Sequence, residues 1–160
     1  MRAFAYPILF ILILGMAGCG SSNGLHVDLQ IHRSFHRPLQ FEIRETDGTI
    51  ILRTIIRAGK GGYDHGPVAQ DYTRKLTPTE ASALAKALRA TLASPPGEAY
   101  PPGGRDGSVW IFDVRGERRI RWKVWTPDSR PTPRGTQQLH ALGLLLFRLA
   151  RITEPESDFY

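Results

Sequence analysis

The side chains able to do covalent or acid–base chemistry are few and widely spaced. Cys19 is the only thiol, and a thiol, with a pKa near 8.5, is the readiest nucleophile a protein offers near neutral pH. No serine stands in a G-x-S-x-G elbow, so that nucleophile arrangement is missing. Asp64, His65 and Ser108 fall in loops. Asp64 and Asp106 together would supply the two carboxyl groups needed to cleave an envelope polymer by acid–base chemistry. His26, Asp28 and His32, with His36 just beyond, are donor types that suit a divalent metal. Along a strand, however, His26 and His32 stand about 20 Å apart at roughly 3.3 Å per residue. They cannot share one ion, so a solvated strand face is expected there, and neither a metal nor another cofactor. Trp110 and Trp122 alternate with outward positions and read as core, where large aromatics dominate packing. Trp125 has the opposite parity and is the one indole placed to act as an exposed platform, with Arg130 or Arg134 beside it. Nothing in this set composes a catalytic centre, and a non-catalytic protein is the expectation.

The surroundings of Cys19 give its thiol a use. One basic residue, Arg2, precedes the apolar run Ile8 to Leu14, and Gly15-Met16-Ala17-Gly18 leads into the cysteine. That run is too short to cross a bilayer, which takes about 20 residues, and its layout is that of an export signal. An ordinary secretory signal and an uncleaved short anchor are the alternatives; bulky Met16 fills a position where an ordinary signal prefers a small side chain. Ala17-Gly18-Cys19 resembles a lipobox, in which the thiol is lipidated and the chain is cut just before it. The resemblance implies a signal peptide over 1–18, then a lipidated Cys19 and a polar, glycine-containing tether over 19–24. Each buried CH₂ of an acyl chain contributes about 0.8 kcal/mol, so several chains hold a protein to a membrane durably. Gly20, in place of the aspartate that marks inner-membrane retention, implies the outer membrane of the cell envelope.

Loss of the first 18 of 160 residues lowers the formal charge from +6 to +5 and leaves one domain of ordinary size. Such a domain buries about two-thirds of its unfolded surface and needs no metal or disulfide to fold. Arg118, Arg119, Arg121 and Lys123 gather the positive charge and would suit an anionic lipid or polymer surface. Nucleic acid is not an expected partner of an exported, membrane-tethered domain.

The elements that must position these residues read as α+β. Leu25, Val27, Leu29 and Ile31 alternate with polar residues, a strand with one buried face. Leu39, Phe41 and Ile43 alternate before Asp47-Gly48, the dipeptide of a two-residue hairpin turn. That turn pairs Thr46 with Thr49 and sets Ile43 on Leu52, Phe41 on Thr54, Leu39 on Ile56, and Glu42 on Arg53. Thr77 with Glu80 forms a capping box, with Pro78 at the first helical position. Leu84, Leu88 and Leu92 follow at helical spacing, and Pro95-Pro96-Gly97 ends the helix. A second hairpin sets Trp110 on Val124, Phe112 on Trp122, Val114 on Ile120, and Asp113 on Arg121 outside. A last helix spans about Thr136 to Ile152, with Leu139, Leu142, Leu146 and Leu149 on one stripe. The order strand, hairpin, helix, hairpin, helix predicts an antiparallel sheet of about five strands with two helices on one face. The domain spans 25–152, and the acidic tail over 153–160 is expected to hang free.

Gly61-Gly62-Tyr63-Asp64-x-Gly66, Asp106-Gly107-Ser108-x-Trp110 and Trp125-Thr126-Pro127 together are similar to a pattern in uncharacterised bacterial proteins, many of them small lipoproteins or secreted domains. Here His65 stands where proline is usual, and Thr126 where serine is commoner. The resemblance implies no activity, cofactor or catalytic residue. All three motifs sit at ends of elements, which would gather Tyr63, Asp64, Asp106 and Trp125 at one edge of the sheet; turn capping by the two aspartates is the alternative. The partner expected is another envelope protein or an anionic polymer.

Overall fold

Period-two alternation builds a single six-stranded sheet, and both leucine-rich helices bury its apolar face. The computed structural model describes residues 24–97, 106–116, 118–155 and 158; Cys19 and the signal segment lie outside the described residues. The strands are β1 (His26–Arg33), β2 (Leu39–Thr46), β3 (Thr49–Arg57), β4 (Val68–Lys75), β5 (Ser108–Arg115) and β6 (Ile120–Trp125). Helix α1 (Pro78–Leu92) separates β4 from β5, and α2 (Gln137–Leu149) follows β6. The sheet order is β4-β3-β2-β1-β5-β6, with every pairing antiparallel. The first strand therefore lies inside the sheet, flanked by β2 and β5.

Both hairpins have the register that their alternation predicts. Thr46 pairs with Thr49 and Glu42 with Arg53, while Phe112 pairs with Trp122 and Asp113 with Arg121. Asp47 and Gly48 supply the positive φ angles, 51° and 70°, that let a two-residue turn follow the twist of its strands. The core joins Val27, Leu29, Ile31, Phe41, Trp110 and Phe112 of the sheet to Leu84, Leu88, Leu139, Leu142 and Leu146 of the helices. Helix α1 starts in the expected capping box: Thr77 Oγ1 accepts from the Glu80 N–H, and the Glu80 carboxylate accepts from the Thr77 N–H at 2.8 Å. Helix α2 packs tightly on the sheet at Gly143, where an added Cβ would lie 2.2 Å from the Trp110 ring.

The α+β architecture is the expected one, and two details add to it. The sheet has six strands rather than about five, because Val68–Lys75 forms an edge strand on β3. Its inward positions carry Tyr72 and Arg74, which the alternation of aliphatics does not mark. Polar bonds to the end of α2 hold them there: Tyr72 Oη donates to Ala150 O at 2.8 Å and Arg74 Nε to Leu149 O at 2.6 Å. A polar edge also discourages further strands from adding. The acidic tail is not wholly free either. Alternation along β1 continues past Ile31 and turns Arg33 inward, where its side chain is fully buried. A buried guanidinium requires a partner, and Glu154 supplies it, with Arg33 Nη1 also donating to Asp158 O at 2.8 Å.

Candidate functional site

The three motifs meet at the outgoing end of β1, and they meet through backbone. Gly61 has φ +97°, and a Cβ there would lie 2.4 Å from Arg33 O. The Gly62 N–H donates to that same oxygen at 2.7 Å. The next residue, Ser34, grips the second motif: its N–H donates to Gly107 O at 2.8 Å, and its hydroxyl accepts from the Gly107 N–H at 3.1 Å. The third motif closes on the second, with Thr126 N–H donating to Ser108 O at 2.7 Å and Ser108 N–H to Thr126 Oγ1 at 3.0 Å. Side chains at Gly59, Gly61 and Gly107 would each strike a neighbouring atom at 2.4 Å or less. Close approach of chain to chain accounts for these glycines.

The expected side chains fare differently. Tyr63 is fully exposed at the tip of the 59–66 loop. Asp64 Oδ2 accepts from the Lys60 N–H at 3.1 Å, the geometry of turn capping. Asp106 is exposed next to Gly107. Trp125 is half-buried, with its ring against Gly107, so it is not the open platform its parity suggested. Its carbonyl accepts from Arg134. Arg134 also reaches Asp128, whose carboxylate accepts from Thr132 and Thr136 hydroxyls at 2.8 Å. Burial pushes the Asp128 carboxyl up, but these bonds outweigh it and hold the group below the usual carboxylate range.

His65 has a partner that sequence spacing did not reveal. Its Nε2 lies 3.2 Å from His32 Nδ1, and Gln30 Oε1 stands 3.3 Å from His32 Nε2. Burial, then repulsion from His65, Arg57 and Lys123, pushes the His32 imidazole below its ordinary pKa. A neutral imidazole can then share one proton with His65, pinning the glycine loop to β1. Among the described residues, no group of three or more His, Cys, Asp or Glu side chains is arranged to hold a metal ion.

The sheet face opposite the helices carries the charge. Glu42, Asp28 and Asp113 stand side by side across β2, β1 and β5, all three buried. The outer two are neutralised: Glu42 lies 3.3 Å from both Arg44 and Arg53, and Arg119 Nε donates to Asp113 at 3.0 Å. Arg119 is thus committed to Asp113, while Arg118, Arg121 and Lys123 are exposed. Asp28 has no such cation among the described residues; Gln40 donates to its Oδ2 at 2.8 Å, and the Gln30 amide also favours its ionised form. Burial pushes the Asp28 carboxyl above its ordinary range; the Gln40 bond opposes this and Glu42 adds to it. A carboxyl raised on folding destabilises the domain once ionised, so its unfavourable contribution fades as pH falls through that raised pKa. Asp28→Asn should therefore raise stability at pH 7 by about 1 kcal/mol, since like charges directly opposite each other oppose pairing. Urea unfolding of both proteins should show that advantage shrinking with acidification; an advantage constant with pH would contradict the assignment.

No protein-family model matches the chain, and no curated protein sequence matches it.

Proposed function

We propose that this chain is a non-catalytic binding domain, tethered to the outer membrane of the cell envelope by lipid on Cys19. It meets another envelope protein through the loops at the outgoing end of β1. The observation that carries the reading is what those loops leave exposed. Phe35, 69% exposed, and the fully exposed Tyr63 project from neighbouring loops, which the Gly62–Arg33 bond ties together. Aromatic side chains on a rigid scaffold are common anchors of protein interfaces. The same loops engage Asp64 with a backbone amide, so hydrolysis by Asp64 and Asp106 gains no support from its setting.

Photo-crosslinking in cells tests the reading. A benzophenone amino acid placed at Phe35 or Tyr63 should give discrete higher-mass adducts, and one at Ser82, on the exposed side of α1, should not. Adducts at all three positions alike, or at none, would contradict it.

A further inference from the structure

A cavity of about 490 Å³ opens at the same end of β1, lined by Arg33, Phe35, Arg37, Lys60, Glu154 and Asp158 among others. Its floor is unusual in kind, for Arg33 is a fully buried guanidinium placed inward by the parity of β1. Two of its nitrogens are fixed on the chain itself, with Nε donating to Arg37 O at 3.0 Å and Nη2 donating to the same oxygen. The remaining Nη1 is directed to the tail, where it meets the Glu154 carboxylate and Asp158 O. Arg37 lies 3.7 Å from the other Glu154 oxygen, and His36 lies 4.0 Å from the Asp158 carboxylate.

We propose that this cavity is a recognition site for an acidic peptide segment, in which Glu154 of the chain's own tail is the resident and displaceable occupant. Three observations converge on that chemistry. The cavity holds three cations, Arg33, Arg37 and Lys60, against two carboxylates, Glu154 and Asp158, so positive charge remains over when the tail is seated. A buried guanidinium recognises a carboxylate with strong, directed hydrogen bonds. Space remains beside the occupant, and exposed Phe35 forms one wall, as an extended peptide with an apolar residue near its acid would require. The occupant sits on a short terminal segment whose described ion pairs are to Arg33, Arg37 and His36. An incoming acid would meet those same groups, so the tail sets a threshold that a competing peptide must exceed. This inference does not depend on the lipid anchor or on which protein the exposed aromatics meet.

The test uses the full chain and a fluorescein-labelled peptide with the sequence of residues 152–160, followed by anisotropy. The wild type should bind it weakly, because the resident tail competes. Glu154→Gln should bind at least tenfold more tightly. In the Glu154→Gln background, Arg37→Ala and Lys60→Ala, at exposed positions where folding is not at stake, should each weaken binding about fivefold. Free succinate at equal carboxylate concentration should compete poorly, and phosphatidylglycerol vesicles should leave the peptide bound. Three results would overturn the proposal. One is equal affinity in the wild type and Glu154→Gln, which would mean the tail does not occupy the site. Another is binding indifferent to Arg37 and Lys60. The third is displacement of the peptide by vesicles, which would assign the basic cavity to a membrane surface. If Glu154→Gln fails to fold, Lys60→Ala in the wild type decides the matter, since Lys60 lines the cavity but is not among the tail's described ion pairs: weakened binding supports the proposal and unchanged binding overturns it.

Discussion

Gly143→Ala is expected to destabilise the domain by about 3 kcal/mol, near the upper end for overpacking a core. An added methyl carbon would lie 2.2 and 2.3 Å from two atoms of the Trp110 ring. Flexible side chains often swing clear of such a clash; this indole cannot. It is fully buried, its N–H is held by Ser108 Oγ at 2.7 Å, and His140 stacks at 6.2 Å between ring centroids. The helix would have to lift from the sheet, opening contacts made by Leu139, Leu142 and Leu146. Alanine favours helix by about 1 kcal/mol over glycine, which offsets only part of the loss. Thermal and urea unfolding would measure it, with Gly116→Ala, where an added Cβ meets nothing within 4 Å, as a control within about 0.5 kcal/mol of wild type. Replacing Trp110 by Phe in the Gly143→Ala background should recover part of the loss. Equal stability of Gly143→Ala and the wild type would mean that α2 does not pack on Trp110.

Arg33→Met should cost a similar amount, about 3 kcal/mol, for an electrostatic reason. Methionine fills much of the same volume but leaves the Glu154 carboxylate, which is 22% exposed, with only the longer 3.7 Å pair to Arg37, and leaves Arg37 O without its donors. Removing one member of a buried pair typically costs about 3–5 kcal/mol; the partial exposure of Glu154 places this case at about the lower limit. Adding Glu154→Gln should then recover part of the loss, because the poorly compensated carboxylate is gone while Arg37 O still lacks its donors. A double-mutant cycle read by urea unfolding gives the coupling directly. Strict additivity would show that the tail contact makes no energetic difference to the fold.

Much of the architecture was legible in the residues, and for identifiable reasons. Asp47-Gly48 fixes one turn, so a whole hairpin register follows from two residues. The Thr77-x-x-Glu80 box places the start of α1 to the residue. Such signals are local, and local chemistry is what a sequence displays. What escaped was non-local. Strand β4 carries inward Tyr72 and Arg74, whose partners are carbonyls at the far end of α2, about seventy-five residues away. Arg33 obeys the same alternation as Ile31, yet a charged residue at an inward position reads as the end of a strand. Only the seat of Glu154 against it explains why the strand continues.

The candidate site divides along the same line. The motif glycines were visible as glycines, but their need for close approach depends on Arg33, Ser34 and Thr126, which the sequence does not mark as partners. Asp64, Asp106, Tyr63 and Trp125 looked like a set because they flank those glycines. In the fold, Asp64 caps a turn, Trp125 packs, and Tyr63 is presented fully to solvent. The cavity over Arg33 had no signal except the parity of one arginine.

Tethering of a binding domain at the envelope is tested most directly by the intact mass of the protein extracted in detergent from cells. The expected product begins at Cys19, carries a diacylglyceryl group and an amide-linked fatty acid, and is recovered with the membranes. A chain that keeps residues 1–18, or an unmodified Cys19 in the soluble fraction, would contradict it.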